Sequence, residues 1–307
     1  YGYIYFDVYD MYCDNEGFLK KGSGAGTLNH EIAHFGRMHK NIDPNHYLAE
    51  KWLITSIVDS DGDGLMDAND SEPTIKREIQ TVSVGYSGEI ISSINGTDWI
   101  SRKTGTQDYS DIAYGNNIFV AVGDSGTILT SSDGISWTSR TSGSSVRFMG
   151  ITFGNGIFVV VGENGTILTS SDGITWTSRN SGTSLWLLQA TYGKNIFIIV
   201  GNSGKILTSP DGINWTSRSS GTSNHLQGVT YSNNIFVVVG QSGKILTSSD
   251  ATSWTSRTSG ISSYLFGITY GNGIYVTVGT SGKILTSNDG LSWTLRTLET
   301  SNRFVGV

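Results

Sequence analysis

The sequence predicts a mainly β protein, a six-bladed β-propeller of four-stranded antiparallel blades preceded by a small N-terminal α+β segment. Three observations carry this. Six near-copies of one segment run from about residue 79 to the end; their Trp residues, Trp99, Trp137, Trp176, Trp215, Trp254 and Trp293, step by 38 and then by 39; and glycines and Asp-Gly pairs cut each copy into short strands. A period near 40 residues filled with short strands is the mark of a propeller blade.

One copy, Gly154 to Gly182, reads GNGIFVVVGENGTILTSSDGITWTSRNSG. Ile157 to Val161 is a continuous apolar run bounded by glycines, as in a strand buried on both faces. Gly165 opens a hairpin into Thr166 to Ser170, and Asp172-Gly173 turns the chain into a last strand around Trp176. A short strand near Met149 to Phe153 precedes these three and completes the blade. A lone blade leaves both faces bare, so stability demands neighbours stacked in a ring. The first copy begins near Ile79 with no inner strand ahead of it, while the chain ends in Arg303-Phe304-Val305-Gly306-Val307, which matches Arg147-Phe148-Met149-Gly150-Ile151. The tail is therefore expected to supply the missing inner strand and close six blades; a native chain running past Val307 would permit seven.

The run Ser-x-Asp-Gly-x-Ser/Thr-Trp resembles the Asp-box of sialidase-like propellers, and the whole copy resembles bacterial BNR-like repeats related to photosystem II assembly-factor propellers. The resemblance covers roughly residues 79 to 307. It departs from the box in spacing, four steps from Asp133 to Trp137 where five are usual, and in Asn95, which replaces the Asp of the first copy. What it implies is the fold. Sialidase chemistry would need three arginines converging on a carboxylate, a Tyr/Glu nucleophile pair and an acid. Here Arg102, Arg140, Arg179, Arg218, Arg257 and Arg296 all sit three residues after a repeat Trp, a register that spreads them around the ring with their stems on the outer strands. Glycosidase chemistry is excluded from the propeller on that ground.

Positions that escape the repeat point to binding. Ten residues after each Trp come Tyr109, Arg147, Trp186, His225 and Tyr264, with Arg303 in the closing segment. A second varied register, Tyr86, Asp124, Glu163, Asn202, Gln241 and Thr280, lies in the hairpin between the second and third strands. Both loops open on one face of a propeller. Large aromatic and cationic side chains around a channel offer contact area with hydrogen-bonding tips, which suits a glycan or a protein or peptide ligand.

Upstream of the propeller, Asp59-Ser60-Asp61-Gly62-Asp63-Gly64-Leu65-Met66-Asp67-Ala68-Asn69-Asp70 places acids at positions one, three, five, nine and twelve of a calcium loop, with Gly at six. Carboxylates this dense repel by roughly 1 kcal/mol per close pair in water, so the loop calls for a cation, and hard oxygen ligands favour calcium. Asp59, Asp61, Asp63 and Asp70, the Leu65 carbonyl, and Asp67 directly or through water are the expected ligands. The pattern resembles thrombospondin type 3 and dockerin-like calcium loops, which join modules of secreted bacterial proteins; Asp70 in place of the usual Glu implies a linker-type site. The six acids from Asp59 to Glu72 account for the whole formal charge of −6. The rest of the chain is balanced, which removes the electrostatic case for nucleic acid.

Further upstream, His30-Glu31-Ile32-Ala33-His34 resembles the HExxH motif of zincin metallopeptidases. On a helix His30 and His34 share one face and can hold zinc, with Glu31 placed as general base for the metal-bound water. Four of the five histidines fall between residues 30 and 46. A third ligand is required, and the candidates in order are Glu50, His39 and His46. Only 29 residues precede His30. Of these, Tyr1 to Tyr9 reads as one strand, so the upstream half of a peptidase site looks incomplete.

The lone Cys13 forms no internal disulfide, and there is no initiating Met, signal peptide or transmembrane run, which is expected of a piece of a longer protein. Calcium loops of this type bind at about 0.1 to 1 mM in extracellular modules. The reading is a zincin-like fragment (1–56), a calcium-binding linker (57–76) and a binding propeller (77–307) in a secreted or cell-surface bacterial protein. The competing reading is a structural or adhesive surface protein with a vestigial HExxH segment.

Overall fold

The computed structural model describes residues 11–13, 19–21, 51–53, 81–93, 96–297 and 302–306. The strand β1 (Met11–Cys13) pairs with β2 (Leu19–Lys21), and six four-stranded antiparallel sheets follow. Blade one is β3 (Lys51–Leu53), β4 (Thr81–Val84), β5 (Ile90–Ser93) and β6 (Ile100–Ser101). Blade two is β7 (Tyr109–Gly115), β8 (Ile118–Gly123), β9 (Ile128–Ser131) and β10 (Thr138–Arg140). Blade three is β11 (Phe148–Gly154), β12 (Ile157–Gly162), β13 (Ile167–Ser170) and β14 (Thr177–Arg179). The same order recurs from β15 (Leu187–Gly193) to β18 (Thr216–Arg218), from β19 (Leu226–Ser232) to β22 (Thr255–Arg257), and from β23 (Leu265–Gly271) to β26 (Thr294–Thr297). The inner strands β7, β11, β15, β19 and β23 pack each beside the next, and β3 packs beside β7. This is the six-bladed propeller that the repeat predicts.

The unbroken apolar run of each second strand has a simple cause. In β12, Phe158 and Val160 join a cluster with Val120, Val122 and Phe148 of blades two and three. Val159 and Val161 point the other way, into a cluster with Phe197, Ile199 and Leu207 of blade four. A strand clamped between two sheets has no wet face, and each such side chain contributes about 1.5–3 kcal/mol by leaving water. Within a blade the aromatics form a ladder: Tyr192 lies 4.6 Å from Phe197, which lies 6.4 Å from the repeat Trp215.

The turns follow from residues that tolerate positive φ. Asn164 and Gly165 sit at φ 55° and 68°, with the Thr166 N–H donating to the Glu163 carbonyl at 3.0 Å, a type I′ hairpin. At the Asp-box turn, Asp172 Oδ1 accepts from the Ile174 and Thr175 N–H groups, both at 2.8 Å, and from the Ser170 hydroxyl at 2.8 Å. The Trp176 indole donates to the Gly173 carbonyl at 3.1 Å. Five copies of this carboxylate cage recur, at Asp133, Asp172, Asp211, Asp250 and Asp289. The repeat arginines are also structural, since Arg179 Nε donates to Thr169 Oγ1 at 2.8 Å on its own blade, four others donate to the matching Thr, and Arg102 donates to Ser92 Oγ.

The expected closure is corrected. The inner edge of β4 is taken by β3, with Lys51 opposite Val84, Trp52 opposite Ser83 and Leu53 opposite Val82. Residues 302–306 form no ladder with β4; the Phe304 N–H donates to the Gly279 carbonyl at 3.0 Å and Asn302 accepts from Gly282 N–H at 2.6 Å, so the tail is held by blade six. One strand edge carries one row of donors and acceptors, and pairing requires no adjacency in sequence. The partner lies almost thirty residues upstream of the first repeat strand.

Candidate binding face at the channel mouth

The two varied registers meet. Each hairpin residue donates its N–H to the carbonyl of the residue just ahead of its own blade's inner strand. Glu163 bonds to Arg147 (3.1 Å), Asn202 to Trp186 (2.9 Å), Gln241 to His225 (2.8 Å) and Thr280 to Tyr264 (3.0 Å). The mouth is therefore a ring of paired variable positions tied by the most uniform element available, the backbone.

The same hydrogen bond corrects one member of the ring. Asp124 N–H donates to the carbonyl of Asp108, not of Tyr109, at 2.9 Å. Tyr109 pairs with Gly123 as Phe148 pairs with Gly162, is 3 % exposed and donates its hydroxyl to the Thr104 carbonyl. It is a core residue whose burial raises its phenol pKa. The ring is Asp108, Arg147, Trp186, His225, Tyr264 and Arg303. A further parallel places Asp108 there: its Oδ1 accepts from Ser87 N–H at 2.7 Å, as His225 Nδ1 accepts from Ser203 N–H at 3.0 Å.

Arg147, Trp186, His225, Tyr264 and Arg303 line a cavity of about 640 Å³ that runs down the axis between the inner strands. Trp186 is 40 % exposed, large and apolar at the rim. Tyr264 stacks on Phe266 with centroids 5.6 Å apart, and the Arg303 guanidinium lies 4.0 Å over the Phe266 ring. On the other side Arg147 Nε approaches Asp124 Oδ1 at 2.8 Å, an ion pair whose angle is too poor for a directed hydrogen bond. Burial raises the Asp124 pKa; the Arg147 charge opposes this and the Asp108 charge adds to it.

Below the rim lies a second ring that sequence reasoning missed. The inner strands β7, β11, β15, β19 and β23 each carry a β-bulge, as between Phe148 and Gly150 or Leu265 and Gly267, and the extra residues line the channel. These are Ser110, Met149, Leu188, Gln227 and Phe266, joined by Val305 of the tail. The signal was present: this position varies between a conserved apolar residue and a position that is usually Gly. Beside it, Asp111 is 1 % exposed and accepts from Ile112 N–H at 2.8 Å and from Ile151 N–H of the next blade at 2.9 Å. Held in this way, its carboxyl ties β7 to β11.

The expected zinc residues His30, Glu31, His34, His39 and Glu50 and the expected calcium residues Asp59, Asp61, Asp63, Leu65, Asp67 and Asp70 lie outside the described residues. Among the described residues, no group of three or more His, Cys, Asp or Glu is placed to hold a metal ion, and no helix is long and apolar enough to cross a membrane.

No family model matches the chain, and no curated protein matches it. Solved propellers do. It is similar to a structure described as YCF48 bound to D1 peptide, at 18 % identity and a TM-score of 0.58 over 70 % of this chain and 76 % of that one. It is also similar to YCF48 from Cyanidioschyzon merolae, at 14 % identity and 0.59 over 73 % and 83 %. The WD40 β-propeller domain of Doa1 aligns at 15 % identity and 0.59 over 73 % and 80 %. At these identities the likeness is one of fold, the four-stranded blade propeller.

Proposed function

We propose that the propeller binds a protein partner through a peptide segment laid over the channel mouth. The observation that carries this is the junction of two registers of large, mutually different side chains at one end of a 640 Å³ channel, on a scaffold otherwise copied blade by blade. A cavity of this size suits the partial burial of several side chains, and Trp, Tyr and Arg are the residues that dominate such contacts. A similar propeller described with a bound peptide supports the peptide over the glycan reading. The test is a random peptide array probed with the parent chain and with the double variant Trp186→Ala/Tyr264→Ala. Loss of about tenfold or more in signal at unchanged melting temperature supports the reading; an empty array, or equal binding by both, refutes it.

For the rest of the chain the reading is a secreted or cell-surface bacterial module set, in which a calcium loop at Asp59 to Asp70 joins the propeller to a zinc-peptidase-like segment. His30, His34 and Glu50 would hold zinc and Glu31 would act as base. It rests on the motif spacings and is tested by metal analysis of the purified chain. Stoichiometric calcium and zinc support it, absence of zinc leaves the vestigial segment, and absence of both removes the metal reading. In a longer chain with peptidase activity, Glu31→Gln should keep zinc and lose proteolysis, and His34→Ala should lose both.

A further inference from the structure

The interior of the mouth is uneven in a way that names its ligand more closely than the rim does. Of the residues in the bulge ring, Met149, Leu188, Phe266 and Val305 are apolar, and only Ser110 and Gln227 are polar. Leu188 is 8 % exposed, and Phe266 stacks with Tyr264 and lies under the Arg303 guanidinium. Trp186, exposed at 40 %, stands at the rim two residues ahead of Leu188. A collar of this kind below an exposed indole is a socket for one large apolar side chain.

The charge around the socket is equally one-sided. Asp108, Asp111, Asp124 and Glu163 fall on blades two and three and the loops that feed them, with Arg147 among them; Arg303 is the other guanidinium of the ring. Three carboxylates near the rim thus stand against two guanidiniums, with the buried Asp111 behind them. Arg147, at 2.8 Å from Asp124, answers one of these acids, yet the Asp108 charge still crowds Asp124. A ligand cation on that side would relieve the crowding, whereas an acidic ligand would add to it. Of the apolar contacts, Met149 lies on blade three within this sector and Phe266 on blade six across the channel from it, so one short segment can reach both.

Building on the peptide-binding reading above, we propose that the mouth is specific for a segment carrying a large apolar residue beside a basic one. The apolar side chain enters the Met149, Leu188, Phe266 and Val305 collar against Trp186, and the Lys or Arg lies over the Asp108 and Asp124 carboxylates.

The probe is an array of peptides Gly-Ser-Gly-X-Z-Gly-Ser-Gly in which X and Z each run through all residues, overlaid with the intact chain. Peptides pairing Leu, Met or Phe with Lys or Arg, in either order, should bind about tenfold or more above those pairing Ser with Lys or Leu with Glu. Phe266→Ser should flatten the dependence on the apolar residue, and Asp108→Asn, which can still accept from Ser87, should weaken the preference for Lys over Glu while sparing the apolar one. Raising salt should have the same effect as Asp108→Asn. Binding that ignores the apolar residue, or that favours Glu over Lys, overturns the specificity and leaves peptide binding intact. An array on which nothing binds, or on which Trp186→Ala/Tyr264→Ala binds like the parent, overturns both. The parent's own preferences decide the matter even if a variant fails to fold.

Discussion

The two ends of the ring obey different rules. At the end bearing the Asp-box turns, five blades repeat the same Ser, the same Asp and the same pair of N–H donors, with the carboxylate distances to those donors between 2.8 and 2.9 Å. At the channel mouth the backbone bonds are just as regular, but the side chains they present run from Asp108 through Trp186 to Arg303. Identical side chains where the chain must turn, and different ones where the turn is held by backbone alone, separate what the scaffold needs from what it is free to display. The difference can be broken experimentally, and a scaffold position should cost stability where a mouth position costs binding.

The largest contrast is between Phe197 and Trp186. Phe197 is fully buried between blades and stacks in the ladder of Tyr192 and Trp215. Phe197→Ala should cost about 3–5 kcal/mol in urea unfolding. Trp186→Ala, at an exposed rim position, should stay within about 0.5 kcal/mol of the parent. A destabilisation of similar size in both would mean the rim is part of the core, and the division drawn here would fail.

Next in size are the interblade glycines. A Cβ at Gly193 would run into the ring of Tyr231 on the next inner strand, as one at Gly154 would into Tyr192. The glycine lets adjacent inner strands close on the channel with an aromatic laid flat between them. Gly193→Ala should cost about 1–3 kcal/mol through overpacking, read as a lowered urea midpoint with an unchanged slope. Gly182→Ala, at a turn where nothing lies within 4 Å, tests the alternative, because it strains only a φ of 67°. Gly193 has no positive φ to strain, so a loss there smaller than that at Gly182 would mean that the Tyr231 ring gives way to the added methyl.

How much of this was legible in the sequence depends on whether a feature recurs. Blade number, strand order, the type I′ turns and the Asp-box cage all recur, so six copies vouch for the first three and five for the cage. The closure does not recur: β3 is three residues long, matches no other inner strand and pairs with β4 across an intervening stretch, so nothing local announces it. The tail matches the inner-strand pattern and still contributes Arg303 and Val305 to the channel, yet without the ladder its sequence suggests. At the mouth, counting ten residues from each Trp failed once. Trp99 to Gly115 is one residue shorter than Trp137 to Gly154, which moves the buried Tyr109 into the count and hides Asp108. The bulged residues were missed because a bulge is a backbone event, visible in sequence only as one varied position between two constrained ones.

The Asp-box end should also be the acid-sensitive one. Backbone N–H groups of Thr175 and Ile174, with the Ser170 hydroxyl, hold the Asp172 pKa down to about 2; Ser253, Thr252 and Ser248 do the same for Asp250. A carboxyl depressed in the folded chain stabilises it fully above the unfolded value near 4, and that contribution disappears as pH falls through the folded value near 2. Melting temperature should therefore be indifferent to these groups from pH 7 down to about 4 and drop between about pH 4 and 2. Asp172→Ala should cost about 1 kcal/mol at pH 7 and shrink the acid-dependent part of the drop. A drop of undiminished size in a variant lacking several of these carboxylates would place the acid sensitivity outside the Asp-box turns.

The smallest effect is expected where the Asp-box end breaks its own rule. Gly134, Gly173, Gly212 and Gly290 follow the box Asp with φ between 67° and 71°, but blade five has Ala251 there, at φ 59° and fully buried. The left-handed conformation costs an alanine about 1 kcal/mol or more. Against that, its methyl contributes about 0.8 kcal/mol by burial, and an alanine loses less unfolded-state freedom than a glycine, by about 0.4–1 kcal/mol. Ala251 belongs to a packed cluster that includes Ile196, whereas a Cβ at Gly212 would press on Ile157 Cδ1 at 2.6 Å and one at Gly290 on Ile235 Cδ1 at 2.7 Å. The opposing terms are nearly equal, so Ala251→Gly should shift the unfolding free energy by less than about 0.5 kcal/mol. Gly212→Ala should lose about 1 kcal/mol, because there the neighbouring isoleucine is seated for a glycine. If Ala251→Gly instead stabilises by more than that loss, strain at blade five was never compensated; if it destabilises by as much, methyl packing outweighs the backbone, and the uniformity of the other four turns reflects their neighbours more than their φ angles.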